Sequence, residues 1–278
     1  MANAISLSFM PATTHYLSRP GGRIAYDVSG CGPLVVCVPG MGDLRSSYRL
    51  LAPRLVDAGY RVAAMDLRGH GESDASFDGY DNAASSGDVV ALIDELGGPA
   101  TIVGNSMGGA AAAYTAAEHP GRVSGLVLLG AFLREPPTSM WTKLMLRALL
   151  LRPWGRAAWG RYYASLFKDN PPADLPERRA AANASLSRPA HWKAFVATTR
   201  TSHQPVCERL ARVGCGGVVV MGTKDPDFAD PAAEAVWGAE QIRGETHLVA
   251  GAGHYPQVEQ PDEVARVTIA YLRRGDRA

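Results

Sequence analysis

The most informative segment of the sequence is Thr101-Ile102-Val103-Gly104-Asn105-Ser106-Met107-Gly108-Gly109. A β-branched run leads into a serine with glycines two positions to either side, and an alanine-rich helical segment begins directly after it. A strand that turns this sharply into a helix needs Gly104 and Gly108, because side chains there would collide with the folded backbone. The turn lifts the hydroxyl above the sheet edge, where the helix N-terminus favours developing negative charge. The pattern predicts that Ser106 is a nucleophile on a turn formed with Gly104, Asn105 and Gly108.

A serine hydroxyl is a weak nucleophile that needs a general base, and the base needs an orienting acid. Among seven histidines, His254 lies in a loop of small residues, Gly251-Ala252-Gly253, between the last predicted strand and the last predicted helix. That position presents an imidazole at the carboxyl end of a strand, where sheet enzymes of this kind bind ligands. We therefore predict that His254 is the base.

The acid is expected after the preceding strand, in Gly222-Thr223-Lys224-Asp225-Pro226-Asp227. Asp225 is predicted to be the acid, because it is closest to the strand end. Asp227 follows two positions later and remains the alternative acid. The order serine, aspartate, histidine is then met with each residue at the end of a strand.

The rest of the chain alternates short apolar runs with amphipathic helical segments, which is typical of a parallel sheet covered on both faces. We expect an opening β-hairpin from residues 15–18 and 23–29. Right-handed crossovers then place helices on both faces of the sheet. Further strands are predicted at 34–38, 62–65, 101–103, 126–129, 218–221 and 247–250, and helices at 47–58, 88–96, 107–119, 232–239 and 262–273.

Over nearly its whole length the chain resembles the α/β-hydrolase superfamily, through the serine turn, the order of the three residues and the loop Asp66-Leu67-Arg68-Gly69-His70-Gly71-Glu72-Ser73. The resemblance implies an α/β-hydrolase fold with a mostly parallel central sheet, and an oxyanion hole formed by the backbone N–H groups of Met41 and Met107. The family usually has His-Gly before the oxyanion-hole residue, whereas this chain has Pro39-Gly40-Met41. The hydrogen bonds of that histidine cannot form here, but a backbone donor at Met41 does not require them.

One stretch breaks the alternation. Residues 133–212 contain no convincing strand, and about eighty residues of helix are too long for an ordinary crossover. We interpret 133–212 as an inserted helical cap on a core of residues 1–132 and 213–278, and expect it to select substrates without taking part in bond breaking. A membrane-surface helix at 140–154, with Lys143, Arg147 and Arg152 as its basic residues, and a plain packing subdomain are the alternatives.

Composition excludes several classes of protein. The formal net charge is +1, which argues against nucleic acid or an anionic membrane as the main partner. No apolar run is long enough to span a membrane, and the start has no basic residues before an apolar stretch, so it lacks the pattern of a signal peptide. The four cysteines match neither a disulfide scaffold nor a common zinc pattern. We expect a cytoplasmic protein with a small-molecule substrate and no metal or cofactor, since no nucleotide or metalloprotease motif is present.

The sequence thus predicts a serine hydrolase that cleaves an ester, thioester or lactone bond of a small, partly apolar substrate through an acyl-enzyme. The nucleophile is serine, which excludes the superfamily branches that use aspartate. Gly104-Asn105-Ser106-Met107-Gly108-Gly109 also resembles the turn of carbon–carbon bond hydrolases acting on diketones, although Tyr255 stands where those enzymes often carry an indole. A ligand-binding protein without turnover is a third possibility.

Overall fold

The computed structural model describes residues 13–135, 140–151 and 153–275. Within them, the strands are β1 (His15–Arg19), β2 (Gly22–Ser29), β3 (Leu34–Val38), β4 (Arg61–Met65), β5 (Ala100–Asn105), β6 (Val123–Leu129), β7 (Gly217–Gly222) and β8 (Glu245–Val249). These eight strands form one sheet in the order β1-β2-β4-β3-β5-β6-β7-β8. β1 and β2 form the predicted hairpin, β2 also pairs antiparallel with β4, and the pairs from β4 to β8 are parallel, so the sheet is mostly parallel as predicted.

Helices surround the sheet and also fill the long connection from β6 to β7. Residues 133–212, which we call the β6–β7 segment, contain α4 to α8 and a short 3-10 turn at Leu210–Arg212. The helices are α1 (Leu51–Asp57), α2 (Asn82–Leu96), α3 (Met107–Glu118), α4 (Met140–Leu149), α5 (Gly155–Ser165), α6 (Leu175–Ser187), α7 (Pro189–Thr198), α8 (Gln204–Cys207), α9 (Pro231–Gln241), α10 (Pro256–Glu259) and α11 (Pro261–Gly275).

Three of the five predicted helices agree with the observed ones to within two residues at each end, and two begin elsewhere. The helix expected at 47–58 is a 3-10 turn (Arg45–Tyr48) followed by α1, which begins only at Leu51. The helix expected at 88–96 begins six residues earlier, because the Asp81 carboxylate accepts a hydrogen bond from the Ala84 N–H at 2.8 Å and caps α2. Residues 82–87 include no large apolar side chain, which concealed the helical pattern there.

The two faces of the sheet carry separate apolar cores. On one face, Val36, Ile102 and Leu128 of the strands pack with α2, α3 and α9. On the other, Val35 and Val103 pack with α1 and α11. Because β3 to β8 are parallel, their carboxyl ends lie together along one side of the sheet, where the candidate site is found. No helix of the described residues is both long and apolar enough to cross a lipid bilayer.

Candidate active site

Ser106 lies on a strained turn between β5 and α3. Its φ of 55° is in a region that residues with a side chain seldom adopt. The Ser106 N–H donates to the Leu129 carbonyl at 2.9 Å, which holds the turn against β6. A Cβ on Gly104 would lie 2.5 Å from the Gly108 carbonyl oxygen, and one on Gly108 would lie 2.2 Å from the Val38 oxygen. Both glycines are therefore required by the geometry that their spacing predicts.

His254 follows β8 and is almost fully buried. The backbone N–H of His254 donates to the Leu166 carbonyl of the β6–β7 segment at 2.9 Å. Its carbonyl accepts a hydrogen bond from Asn105 Nδ2 at 3.1 Å, and the same amide donates to Leu129 at 2.9 Å. Asn105, which directly precedes Ser106 in the chain, therefore links the loop of His254 to the serine turn.

Two carboxylates lie at the Nδ1 edge of His254. Asp225 Oδ2 is 2.8 Å from Nδ1, and Asp227 Oδ2 is 3.6 Å away. The other oxygen of Asp225 accepts a hydrogen bond from the Asp227 backbone N–H at 3.0 Å, which fixes the orientation of the Asp225 carboxylate. The Tyr162 hydroxyl of α5 donates to Asp227 Oδ1. Asp225, the predicted acid, is thus nearer to the imidazole than the alternative.

The charge around His254 sets its basicity. Burial by itself lowers the pKa of His254, because it disfavours the imidazolium. The negative charges of Asp225 and Asp227 outweigh burial, and with smaller contributions from the Asp225 hydrogen bond and the Asp43 charge they raise the pKa to about 9. The two carboxylates at its Nδ1 edge therefore stabilise the protonated form of His254.

Ser106 and His254 lie in one neighbourhood without a hydrogen bond between their side chains in the described part of the chain. The Ser106 carbonyl accepts the Phe132 N–H at 3.4 Å, and the Phe132 ring centroid is 5.8 Å from that of His254. Gly130, directly after β6, also lies against the imidazole, because a Cβ there would be 3.3 Å from His254 Nδ1. Hydrogen bonds between a nucleophile and its base are often long before substrate binds.

The loop after β3 lies directly against the serine. A Cβ on Gly40 would be 2.9 Å from that of Ser106. Within the described residues, the N–H groups of Met41 and Met107 have no hydrogen-bond acceptor. Met41 follows Gly40 in that loop and Met107 follows Ser106, so both unpaired N–H groups belong to segments that meet at the serine.

Tyr48 holds the base of that loop. Its hydroxyl lies 2.7 Å from the Val38 carbonyl oxygen and 3.0 Å from that of Val103. These oxygens belong to the ends of β3 and β5, the two strands that lead into the loop and the serine turn. Tyr48 therefore links the two strand ends next to Pro39, a residue that cannot donate a side-chain hydrogen bond.

A buried ion pair lies next to the same loop. Arg178 of α6 donates to both carboxylate oxygens of Asp43, at 3.2 and 3.1 Å, and to the Tyr163 hydroxyl at 3.0 Å. Its second amino group donates to the Ser46 carbonyl at 3.0 Å. The positive charge of Arg178 is thus already paired inside the protein.

Aromatic rings cover the site on two sides. Phe132 contacts Phe228, with their ring centroids 5.0 Å apart, beside His254. Trp159 and Phe195 lie 4.7 Å apart on the side of the oxyanion loop, where a Cβ on Gly42 would lie 2.3 Å from the Trp159 ring. The indole N–H of Trp159 is buried and has no hydrogen-bond partner among the described residues. These two sides of the site are therefore apolar, and the Trp159 N–H adds an unpaired donor on one of them.

Sequence reasoning missed Asp43, Arg178, Tyr48 and Tyr162. Asp43 and Arg178 are 135 residues apart, and Tyr162 and Asp227 are 65 apart, so no local spacing could have paired them. Asp43 offered the one available signal, because it directly follows the predicted oxyanion loop.

One group in the described residues has the spacing of metal ligands. Ligand atoms of Asp225, Asp227 and His254 lie within 4.8 Å of one another. The hydrogen bond from His254 Nδ1 to Asp225 already uses the atoms that would bind an ion. We therefore interpret the group as an acid–base pair.

The model of the alpha/beta hydrolase family matches residues 35–267. The chain is 31% identical over 268 residues, 90% of this chain and 91% of the relative, to 2-hydroxy-6-oxo-6-phenylhexa-2,4-dienoate hydrolase of Comamonas testosteroni. It is 27% identical, over 91% of this chain and 92% of the relative, to 2-hydroxy-6-oxononadienedioate/2-hydroxy-6-oxononatrienedioate hydrolase of the same species.

Among solved structures, a thermophilic esterase from Thermogutta terrifontis has a similar fold, with a TM-score of 0.78 and 24% identity over 95% of this chain and 99% of that chain. The family match covers most of the sheet and every residue of the candidate site. The chain belongs to the alpha/beta hydrolase family.

Proposed function

We propose that the protein is a serine hydrolase that cleaves an ester-like bond in a small, uncharged and largely apolar substrate. The observation that carries the proposal is the arrangement of Ser106, Asp225 and His254 after the carboxyl ends of the parallel strands β5, β7 and β8, with the Asp225 carboxylate 2.8 Å from His254 Nδ1. A base oriented in this way accepts a serine proton on its other nitrogen.

The reaction follows from these positions. His254 Nε2 takes the proton of Ser106 Oγ while the oxygen attacks the carbonyl carbon of the substrate. The N–H groups of Met41 and Met107 hold the negative charge that develops on the carbonyl oxygen. His254 then gives its proton to the leaving alcohol, thiol or lactone oxygen, and an acyl-enzyme remains. A water molecule, deprotonated by His254, attacks the acyl group and releases Ser106.

The charge of the site supports a neutral substrate. Three carboxylates, Asp43, Asp225 and Asp227, are close enough to raise the pKa of His254. Arg178, the buried cation beside the oxyanion loop, is already paired with Asp43. A substrate carboxylate would compete with Asp43 for that guanidinium and be repelled by the remaining charges. The aromatic side chains around Phe132 and Trp159 favour an apolar group instead.

We also propose that the β6–β7 segment serves as a cap over the site. Ser106 is only 8% exposed, so a substrate reaches its hydroxyl after part of the covering structure moves. α5 and α6 of this segment contribute Trp159, Tyr162 and Arg178 to the walls. Its movement as a lid is the simplest route of entry.

Carbon–carbon bond hydrolysis is the second candidate function, and the curated relatives favour it. The names of the two relatives describe an oxo-dienoate and oxo-dienedioate or oxo-trienedioate substrates, all of which carry a ketone and at least one carboxylate. If this chain shares that activity, Arg178 must exchange Asp43 for the substrate carboxylate. The two functions thus differ in what the buried arginine binds.

The first experiment tests the nucleophile without assuming a substrate. A fluorophosphonate probe should add one adduct to the intact mass, and peptide mapping should place it on Ser106. The Ser106→Ala variant should lose the adduct, and the matched control Ser86→Ala, a buried serine of α2, should keep it. Undiminished labelling of Ser106→Ala would refute the serine mechanism.

The second experiment separates the two functions. Nitrophenyl esters of increasing acyl length, each with and without a distal carboxylate, are compared with 2-hydroxy-6-oxo-6-phenylhexa-2,4-dienoate. Ester hydrolysis requires a higher kcat/KM for the uncharged member of each pair and slow or absent dienoate cleavage. Rapid dienoate cleavage without ester turnover selects the second candidate. Labelling at Ser106 with no turnover at all indicates a binding protein.

A further inference from the structure

The β6–β7 segment exposes large apolar side chains to solvent. Trp141 is 78% exposed and Met145 is 71% exposed. Soluble monomeric proteins seldom leave a contiguous apolar patch of this kind without a function. Of the ten large hydrophobic side chains exposed in the described residues, six lie between positions 141 and 154: Trp141, Leu144, Met145, Leu149, Leu151 and Trp154. We call these six residues the α4 patch.

Helical spacing and one hydrogen bond bring residues of the α4 patch together. Trp141, Leu144 and Met145 are three and four positions apart, so they lie on one side of α4. The Trp154 indole N–H donates to the Ala148 carbonyl at 3.1 Å, which holds this second tryptophan against the end of the same helix. The patch therefore presents a tryptophan at each end of an exposed helix.

The same stretch is strongly basic. Residues 136–168 contain six basic residues and no aspartate or glutamate, whereas the whole chain has a net charge of only +1. The rest of the chain is therefore net negative, and the positive charge is concentrated beside the patch. Within the described residues, Arg156 and Arg161 are exposed and have no carboxylate partner. The basic residues are Lys143, Arg147, Arg152, Arg156, Arg161 and Lys168.

We propose that the α4 patch docks the protein on the surface of an anionic phospholipid bilayer. Tryptophan side chains suit the boundary between head groups and acyl chains, because their rings are apolar and their N–H is polar. The basic residues beside them are attracted to anionic head groups. A second copy of this chain is a poorer occupant, because a two-fold contact between identical patches would bring two positively charged surfaces together. The net charge of +1 for the whole chain does not reveal this concentration of basic residues in one stretch.

Vesicle sedimentation tests the proposal. The full chain should sediment with vesicles of phosphatidylglycerol and phosphatidylcholine in equal parts, much less with phosphatidylcholine alone, and should be released by high salt. Arg156→Glu with Arg161→Glu should weaken binding at least about tenfold, since each basic residue near such a surface contributes on this scale. Arg200→Glu with Arg266→Glu is the matched charge control, and both residues are exposed outside the basic stretch.

A second set of variants tests the contribution of the apolar side chains to vesicle binding. Trp141→Ser with Met145→Ser should abolish sedimentation, whereas the control Val236→Ser, an exposed valine on α9, should not. Circular dichroism and labelling of Ser106 by the fluorophosphonate probe show whether each variant is folded, and both measurements are independent of lipid. Absence of vesicle binding by the wild-type chain, or equal binding by the patch variant, overturns the proposal. A concentration-dependent dimer that disappears in the patch variant, without vesicle binding, assigns the patch to a second copy instead.

Discussion

Replacing Asp227 by asparagine should make the enzyme more active at neutral pH. The Asp227 carboxylate lies 3.6 Å from His254 Nδ1 and helps to raise the pKa of that histidine to about 9. Because His254 must be neutral to accept the serine proton, wild-type kcat/KM should rise with pH and level off only above about pH 9. Asparagine keeps an oxygen that accepts the Tyr162 hydrogen bond, so the substitution removes the charge and little else.

The size of the shift follows from the distance. Two unit charges 3.6 Å apart interact by about 4.6 kcal/mol at an effective dielectric constant of 20, and by about 1.2 kcal/mol in bulk water. At about 1.36 kcal/mol per pKa unit, loss of the Asp227 charge should lower the pKa of His254 by about 1 to 3 units. At pH 7.5 the variant should therefore exceed the wild type by about tenfold or more on a substrate limited by acylation.

The assay is the pH profile of kcat/KM for an activated ester. Asp225→Asn should lose activity at every pH, by about four powers of ten in kcat, because the orienting acid is removed. Asp262→Asn, an exposed carboxylate on α11, should leave the profile unchanged. An unshifted midpoint for Asp227→Asn would refute the electrostatic reasoning. Equal damage by Asp225→Asn and Asp227→Asn would refute the assignment of the acid.

Three further substitutions test the surroundings of the site. Arg178→Met should lower the free energy of unfolding by about 3 to 5 kcal/mol in urea titrations, because Asp43 is left buried and unpaired, and adding Asp43→Asn should restore part of it. Tyr48→Phe should cost about 1 kcal/mol and also lower kcat, since the hydroxyl links two strand ends; an unchanged kcat would exclude a positioning role. Gly42→Ala should slow probe labelling of Ser106, because the φ of +75° disfavours a side chain and the new Cβ would meet the Trp159 ring; labelling at the wild-type rate would show that the loop adapts.

Much of the fold and the core of the site could be predicted from the sequence, because both depend on local spacing and chain order. The glycines around Ser106 indicate a tight turn directly. The carboxyl ends of the strands in a parallel sheet lie along one side of it. Chain order then brings Asp225 and His254 to that side without any knowledge of their contacts. The start of α2 at Asn82 was missed, because residues 82–87 include no large apolar side chain and only the Asp81 cap marks the start.

The basicity of His254 and the charge of the site were harder to predict than the identity of the residues in it. That Asp225 and Asp227 both face the same nitrogen of His254 depends on the shape of one short loop. The pairing of Arg178 with Asp43 depends on how α6 packs against the loop after β3. These contacts set the basicity of the histidine and the charge of the site, and periodicity contains no information about them.

The contacts of α5 argue against separating substrate selection from bond breaking. Trp159, Tyr162 and Tyr163 lie three and four positions apart and so share one side of this helix. Trp159 contacts Gly42 next to the free N–H of Met41, and Tyr163 bonds to the Asp43–Arg178 pair. Tyr162 bonds to Asp227, whose charge acts on His254. A displacement of α5 therefore changes the oxyanion loop, the buried ion pair and the basicity of the histidine together, so substitutions in this helix should alter kcat as well as substrate preference.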